Sequence, residues 1–321
     1  MNLLFRVFIL LSLILVFPYY SYSSISFDAN GKWETTFDYG PCASGSSWPL
    51  DSCGSYQDDG TRWTWSGGGD YGTFTHTNYE ANYPGGGGGL GVRTWNYDGH
   101  NNQSGLVRVD FPEPQKEIWI RWYMRYQEGF QWRSSEGGTL HGINHNKSFL
   151  IRTGERGADI VPDLRNSFTF ISQAHRENSG LGLPQGPDPD FRGGGWTDIW
   201  GPGHSDGNWY CLELYMKMNS EPMAEDGIAR WWVNGVLMYQ HSQQRFSNTE
   251  TQNEGWTWFD FNNNQYSPSN EDGPIGLPYA YIDYDDMTIY NQTPPNTDEH
   301  GNPFIGPLPP APPWGLSIDV Q

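Results

Sequence analysis

The sequence has few cationic residues, and this limits its partners. Lysine and arginine number 18 against 37 aspartates and glutamates, which gives a formal net charge of -19. Because a nucleic-acid duplex or an anionic membrane is bound through a basic surface, this balance argues against both as partners. Cations are nevertheless frequent from Arg121 to Arg176, where they form either a strip that captures an acidic ligand or a set of scattered solvated side chains.

Apolar runs are scarce as well. None follows helical spacing between Lys32 and Tyr290, which argues against a helical fold. The stretch from Val7 to Phe17 follows Arg6 and is shorter than the ~20 residues of a membrane span. We interpret residues 1–24 as a secretory signal peptide, with an uncleaved anchor as the alternative. We therefore expect a secreted protein, extracellular or periplasmic, without membrane insertion once the signal is cleaved.

Only three cysteines are present. Disulfides persist in oxidising compartments, so Cys42 and Cys53, which bracket a loop rich in glycine, serine and proline, are predicted to pair. Cys211 is then left over in a strand-like segment. It is either a nucleophile or, as is usual for a free cysteine of this kind, a buried and unreactive apolar side chain.

Aromatic residues and glycines are abundant, and they favour many short strands joined by tight turns. Aromatics make up 16% of the chain, and there are 40 glycines. This composition predicts an all-β protein. The length would allow two domains, but all-β sandwiches often form one large unit, so we assign residues 25–290 to a single domain. Residues 291–321 are a proline-rich, linker-like tail that is either extended along the domain or disordered.

The segment from Tyr210 to Asn219 alternates apolar and polar side chains, which predicts a strand with one core face. A second strand, Ile228 to Val233, runs into Asn234-Gly235, a dipeptide suited to a tight hairpin turn. The segment from Ile118 to Tyr126 repeats the first pattern, so we expect the two long strands to be neighbours. The predicted core residues are Leu212, Leu214, Met216, Ile120, Trp122, Met124 and Val233. The predicted polar face carries Arg121, Tyr123, Arg125, Glu213, Tyr215 and Lys217.

Three other stretches draw attention. His141 and His145 would share one face of a strand, and either could be a general base. The alternative is a surface pair without a role. A zinc site on a helix would also need a glutamate between the two histidines, which is missing here. Trp196 and Trp200 lie in a long loop, where they either stack on sugar rings or are buried. The glycine run 85–89 follows no apolar strand and opens no helix, so it predicts a turn or a ligand-approach loop and no nucleotide site.

Several runs carry a family resemblance. WYCLELYMKMN, DGIARWWVNG and IDYDDMTIYN resemble the strand pattern of concanavalin A-like jelly rolls. ANYPGGGGGLGVR, SGLVRVDF and IWIRWYMRYQEGF resemble secreted, lyase-like members of that superfamily. The resemblance, over roughly residues 81–290, implies an antiparallel β-sandwich with long loops, a glycan groove on its concave sheet and often a structural calcium ion. Oxygen ligands for such an ion could come from Asp283, Asp285 and Asp286, or these acids could simply be hydrogen-bonded at a strand end.

The polar residues favour elimination over hydrolysis. Retaining hydrolysis needs paired carboxylates, and no strand shows the Glu-x-Asp-x-Glu pattern of the glucanase branch. A lyase needs a cation or amide to neutralise a uronate carboxylate and a side chain to move protons. The proton-transfer candidates are Tyr215, Lys217, Tyr123, His141 and His145, and the substrate-binding candidates are Arg121, Arg125, Glu213, Asn219, Trp196 and Trp200.

These observations together predict a secreted, monomeric protein that binds a polysaccharide, with acidic polymers among the candidates, and cleaves it at a uronate by β-elimination. A lectin-like binding module without catalysis is the first alternative, and a structural surface protein is the second. No cofactor is required for either activity, and the structural calcium ion that often accompanies this superfamily is an expectation from the resemblance.

Overall fold

The computed structural model describes residues 24–38, 61–64, 74–97, 106–130, 149–153, 159–164, 168–173, 199, 205–247, 254–261 and 279–308. Within these ranges the elements are β-strands and one short 3-10 helix, Tyr79–Ala81. No helix in the described part of the chain is long and apolar enough to cross a membrane.

The strands form two large antiparallel sheets. The eight-stranded sheet contains β1 (Lys32–Thr35), β3 (Phe74–Asn78), β4 (Gly91–Tyr97), β6 (Glu117–Tyr126), β10 (Tyr210–Lys217), β11 (Gly227–Val233), β12 (Val236–Gln244) and β14 (Tyr279–Tyr290). The six-stranded sheet contains β2 (Thr61–Thr64), β5 (Leu106–Gln115), β7 (Phe149–Thr153), β8 (Asp159–Leu164), β9 (Phe168–Gln173) and β13 (Trp256–Phe261). Their orders are β12-β11-β10-β6-β14-β4-β3, with β1 on β14, and β2-β5-β13-β7-β8-β9.

The core lies between the two sheets. Trp122 of β6 contacts Phe149 of β7 and Phe259 of β13, with ring centroids 5.0 and 5.5 Å apart. All seven predicted core residues are buried, so the period-two pattern assigned the inward face correctly. The predicted all-β, antiparallel sandwich is therefore confirmed.

The predicted hairpin turn at Asn234-Gly235 is also confirmed. Both residues have positive φ, 51° and 82°, which is the conformation of a type I′ turn. Val233 pairs with Val236 across it. The Asn234 side chain accepts a hydrogen bond of 2.9 Å from the backbone N–H of Cys211, which ties the turn to β10.

The tail beyond β14 does not leave the domain at once. Two short strands, β15 (Asn296–Thr297) and β16 (Pro303–Phe304), pair with each other. We call residues 296–308 the C-terminal strap. The described part of the tail thus follows the first of the two alternatives and lies along the domain, against the polar face of the eight-stranded sheet.

Candidate functional site

The two long strands are neighbours, as their matching patterns indicated. In the antiparallel register of β10 and β6, Glu213 faces Arg121 and Cys211 faces Tyr123. Tyr215 lies opposite Trp119, and their rings are 4.6 Å apart. The predicted polar face therefore exists on the eight-stranded sheet.

The C-terminal strap covers this face. Glu213 accepts hydrogen bonds from the backbone N–H groups of Ile305 and Gly306, at 2.6 and 2.9 Å. Arg121 donates to the carbonyl of Gly306 at 3.0 Å, and the hydroxyl of Tyr123 accepts from the N–H of Leu308 at 2.6 Å. These sheet side chains are thus occupied by the chain itself, and a substrate could contact them only if the strap left.

Burial under the strap changes the chemistry of the covered groups. Glu213 is 2% exposed and Tyr215 is 3% exposed. Desolvation raises the pKa of Glu213 to about 7 and raises the pKa values of Tyr215 and Tyr123 further above their ordinary value. The hydroxyl of Tyr215 also donates to Glu117 at 2.5 Å. Both phenols therefore stay protonated at neutral pH, which makes them poor bases in this arrangement.

Lys217 and Asn219, predicted as partners of Tyr215, are placed differently from each other. Lys217 is exposed at the end of β10. Asn219 is buried beyond that end, where its carbonyl oxygen accepts the N–H groups of Phe246 and Ser247, each at 3.0 Å. Its amide group donates to the hydroxyl of Ser247 at 2.8 Å. Asn219 thus holds this part of the chain together, and its side-chain polar atoms are bonded to the protein itself.

Arg125 lies near the end of β6, and it is bonded to Asp283. The carboxylate of Asp283 is fully buried and accepts hydrogen bonds from Arg93 at 2.7 and 3.1 Å and from Arg125 at 3.0 and 2.5 Å. Arg125 also lies over the ring of Trp209, 4.9 Å from its centroid. Because Asp283 pairs with both arginines, its carboxylate is not available as a metal ligand shared with the neighbouring acids.

Asp286 binds the backbone of the glycine run 85–89 instead. It has a φ of 47° at an irregularity in the pairing of β14 with β6, and it accepts the N–H of Gly87 at 3.2 Å. A Cβ on Gly86 would lie 1.4 Å from its carboxylate, so glycine is needed there for close approach. The glycine loop, which was predicted to be a turn or a ligand-approach loop, therefore binds the carboxylate of Asp286.

The expected calcium site gains no support from these acids. Asp285 accepts the N–H groups of Tyr83 and Asp286, at 2.6 and 2.8 Å. Burial raises the pKa of Asp285 to about 9 and that of Asp286 to about 6. Among the described residues, no group of three or more His, Cys, Asp or Glu side chains is placed to hold a metal ion. Asp283, Asp285 and Asp286 do not fit one shared coordination sphere, and calcium binding stays a prediction.

Six of the predicted residues lie outside the described ranges. They are the histidine pair, the two loop tryptophans and the predicted disulfide pair: His141, His145, Trp196, Trp200, Cys42 and Cys53. Cys211 is described, and it is free and buried, with a pKa raised to about 12 by desolvation. That environment matches the unreactive alternative, since a thiolate nucleophile needs a lowered pKa.

A second polar surface lies on the outer face of the six-stranded sheet, on the adjacent strands β5, β13 and β7. Val107, Val109 and Phe259 point into the core, so Arg108 of β5 and Trp258 of β13 point outward. Arg108 lies over the indole of Trp258, 4.2 Å from the ring centroid, and Arg152 of β7 lies 5.7 Å from it. We call Arg108, Arg152 and Trp258 the arginine–tryptophan site.

This site differs from the covered face in being partly exposed to solvent. The side chain of Arg108 is 25% exposed, and Arg152 and Trp258 are half-buried. Asp110 holds Arg108 through Nε and Nη2, at 2.7 and 2.5 Å, so the guanidinium is oriented. Asp260 is buried and stands opposite Arg108 in the strand register. An indole beside two cations can pack against a sugar ring while the cations pair with its acid group.

The sequence interpretation did not select Arg108 or Trp258, although the alternation in LVRVDF already separates Arg108 and Asp110 from Val107 and Val109. It included Arg152 only as one member of the cationic strip. The missing information was sheet order, because β13 inserts between β5 and β7 and so brings three distant segments together.

No protein-family model matches the chain. No curated protein matches it either. Among solved structures, alginate lyase Aly36B matches at 15% identity over 81% of this chain and 96% of that one, with a TM-score of 0.45. An endo-β-1,4-glucuronan lyase from the fungus Trichoderma reesei matches at 10% identity over 68% and 87%, TM-score 0.42. Alginate lyase vAL-1 from Chlorella virus matches at 17% identity over 71% and 92%, TM-score 0.41.

Proposed function

We propose that this is a secreted protein that binds an acidic polysaccharide at the arginine–tryptophan site and cleaves it at a uronate residue by β-elimination. The observation that carries the proposal is the placement of Arg108 and Arg152 beside the Trp258 ring on a partly exposed sheet face. The predicted signal peptide supports secretion.

The chemistry of the site suits a uronate. A guanidinium presents paired N–H donors that match a carboxylate, and such charge-assisted bonds are stronger than neutral ones. The indole offers a flat apolar surface for the C–H face of the sugar. Arg108 already has Asp110 as a counter-charge. A uronate would add the pairing of its carboxylate with a guanidinium to the contact with the ring, which a neutral sugar cannot do, so the site favours an acidic polymer.

Neutralising the carboxylate also prepares elimination. The proton on C5 becomes acidic when the adjacent carboxylate is paired, because the negative charge that develops on its oxygens is then stabilised. A base removes that proton, the C4–O bond breaks, and the departing oxygen takes a proton, which leaves a C4=C5 double bond. We assign the base to His141 or His145 because an imidazole exchanges protons near neutral pH. Tyr123, Tyr215 and Lys217 lie on the other sheet.

The test is a panel of alginate, glucuronan, a glycosaminoglycan and a neutral glucan. We expect binding to at least one acidic polymer, release of a product that absorbs in the ultraviolet through its new double bond, and no binding to the neutral glucan. Equal binding to the neutral and the acidic polymers would contradict the assignment of the two arginines.

A lectin-like function is the second candidate, because the phenols that were predicted to transfer protons are buried with raised pKa values. It predicts saturable binding to the same acidic polymer with no unsaturated product from any of them. In that case His141→Ala and His145→Ala would leave affinity unchanged, whereas Arg152→Ala would weaken it.

A further inference from the structure

The contact between the C-terminal strap and the eight-stranded sheet has the character of peptide recognition. Five hydrogen bonds join sheet side chains to the backbone of the strap, from or to Trp119, Arg121, Tyr123 and, twice, Glu213. One more joins the indole N–H of Trp232 to the side chain of Asp298, at 2.9 Å. The sheet therefore contacts mainly groups that every peptide has.

The centre of this contact is a pair of backbone N–H groups on one carboxylate. Ile305 and Gly306 donate to the two oxygens of Glu213, which requires consecutive N–H groups to point the same way. Gly306 has a φ of 79°, and a left-handed residue is what turns neighbouring N–H groups toward one anion. Arg121 completes the contact by donating to the carbonyl of the same glycine.

An apolar pocket accompanies these polar bonds. Ile305 is buried in a small cluster that is separate from the main core and contains Trp119, Tyr215, Trp232 and Leu237. The indole of Trp119 also donates to the carbonyl of Pro303 at 3.0 Å. An anchoring side chain in a pocket, flanked by backbone hydrogen bonds, is the usual division of labour in extended-peptide recognition.

We propose that the polar face of the eight-stranded sheet is a binding site for an extended peptide, with Glu213 and Arg121 as its anchors, and that its resident ligand is the chain's own C-terminal strap. The strap begins six residues after Tyr290, the last residue of β14, so the tether is short and its effective concentration at the site is high. The strap therefore binds to the sheet of its own molecule, and no partner protein is needed.

The proposal can be tested by cutting the tether. Gln292 and Thr293 are both exposed, so a recognition sequence for a site-specific protease can be inserted between them in the full chain. After cleavage, we expect the strap to remain bound through gel filtration at micromolar protein. Glu213→Ala should weaken retention by about tenfold or more, because it removes two charge-assisted bonds. Glu221→Ala, which removes an exposed carboxylate beyond the same strand, is the matched control and should change nothing.

Two further measurements keep the test decisive if Glu213→Ala folds poorly. In the uncut wild type, the amide hydrogens of Ile305 and Gly306 should be protected from exchange, and Glu213→Gln should reduce that protection while preserving shape. The proposal is overturned if the cut strap leaves the wild type as readily as the variant, or if these amides are unprotected. Glycan binding at the opposite face should survive strap release, so the two proposals can fail separately.

Discussion

Replacing Asp283 with asparagine should destabilise the protein strongly. The carboxylate is fully buried, and it receives four hydrogen bonds from two guanidinium groups. Asparagine keeps the shape but removes the charge, so Arg93, whose side chain is only 4% exposed, loses its buried counter-charge. Removing one partner of a buried ion pair costs about 3–5 kcal/mol, and we expect the lower end of that range because Arg93 keeps its ion pair with the exposed Glu80.

The assay is urea unfolding, in which a lower midpoint at an unchanged slope reports lost stability. Arg125→Ala should cost less than Asp283→Asn, because the Arg125 side chain is 22% exposed and Arg93 would still pair with the carboxylate. Glu128→Gln, at an exposed carboxylate, is the control and should be neutral. A loss below about 1 kcal/mol for Asp283→Asn would refute the interpretation, since it would place the network in the range of surface ion pairs.

Four more predictions concern buried acids, calcium, a tight glycine turn and the free cysteine. In the folded protein the pKa values of Asp285 and Asp286 are raised to about 9 and about 6, above the unfolded value of 3.8. The folded state therefore binds more protons than the unfolded state between these values. The melting temperature should fall as the pH rises from about 4 to about 9. A chelator that lowers the melting temperature at neutral pH would support calcium, and no change would remove that prediction. Gly88→Ala should cost about 1–3 kcal/mol in unfolding free energy, since Gly88 has a φ of 81° and a Cβ there would lie 1.6 Å from a carboxylate; Gly89→Ala, with open space around it, should be tolerated. Cys211 should resist a thiol reagent until the protein unfolds, because it is 3% exposed and its pKa is about 12, and fast labelling of the native protein would contradict its placement.

Strand parity was sufficient to predict the core and the pairing of the two long strands. A period of two assigns each side chain to a face, and an apolar face is buried in a sandwich whichever strands surround it. Leu214 and Trp122 needed nothing more than that pattern. The same pattern also placed Glu213 and Arg121 correctly on the opposite face.

The period-two pattern gives no information on which part of the chain covers a sheet face. Glu213 is bound by residues 92 and 93 positions away, in a tail whose proline-rich composition indicated a linker. The docking depends on one buried side chain, Ile305, and on backbone geometry at Gly306, and neither is visible as a periodic pattern. Sheet order was equally hidden, because Arg108, Arg152 and Trp258 meet only through the insertion of β13 between β5 and β7.

We propose that the polysaccharide binds to the outer face of the six-stranded sheet. The most informative measurement is the affinity of three variants for the acidic polymer identified in the panel: Trp258→Ala and Arg152→Ala in the site, and Arg245→Ala as the control. Arg245 is an arginine of the eight-stranded side that pairs with Glu225 and whose side chain is 22% exposed. We expect each of the first two to lose about 1 kcal/mol or more of binding free energy, as for lost aromatic and charge-assisted contacts, and the third to bind as the wild type does. Unchanged affinity in the Trp258 and Arg152 variants would contradict the claim.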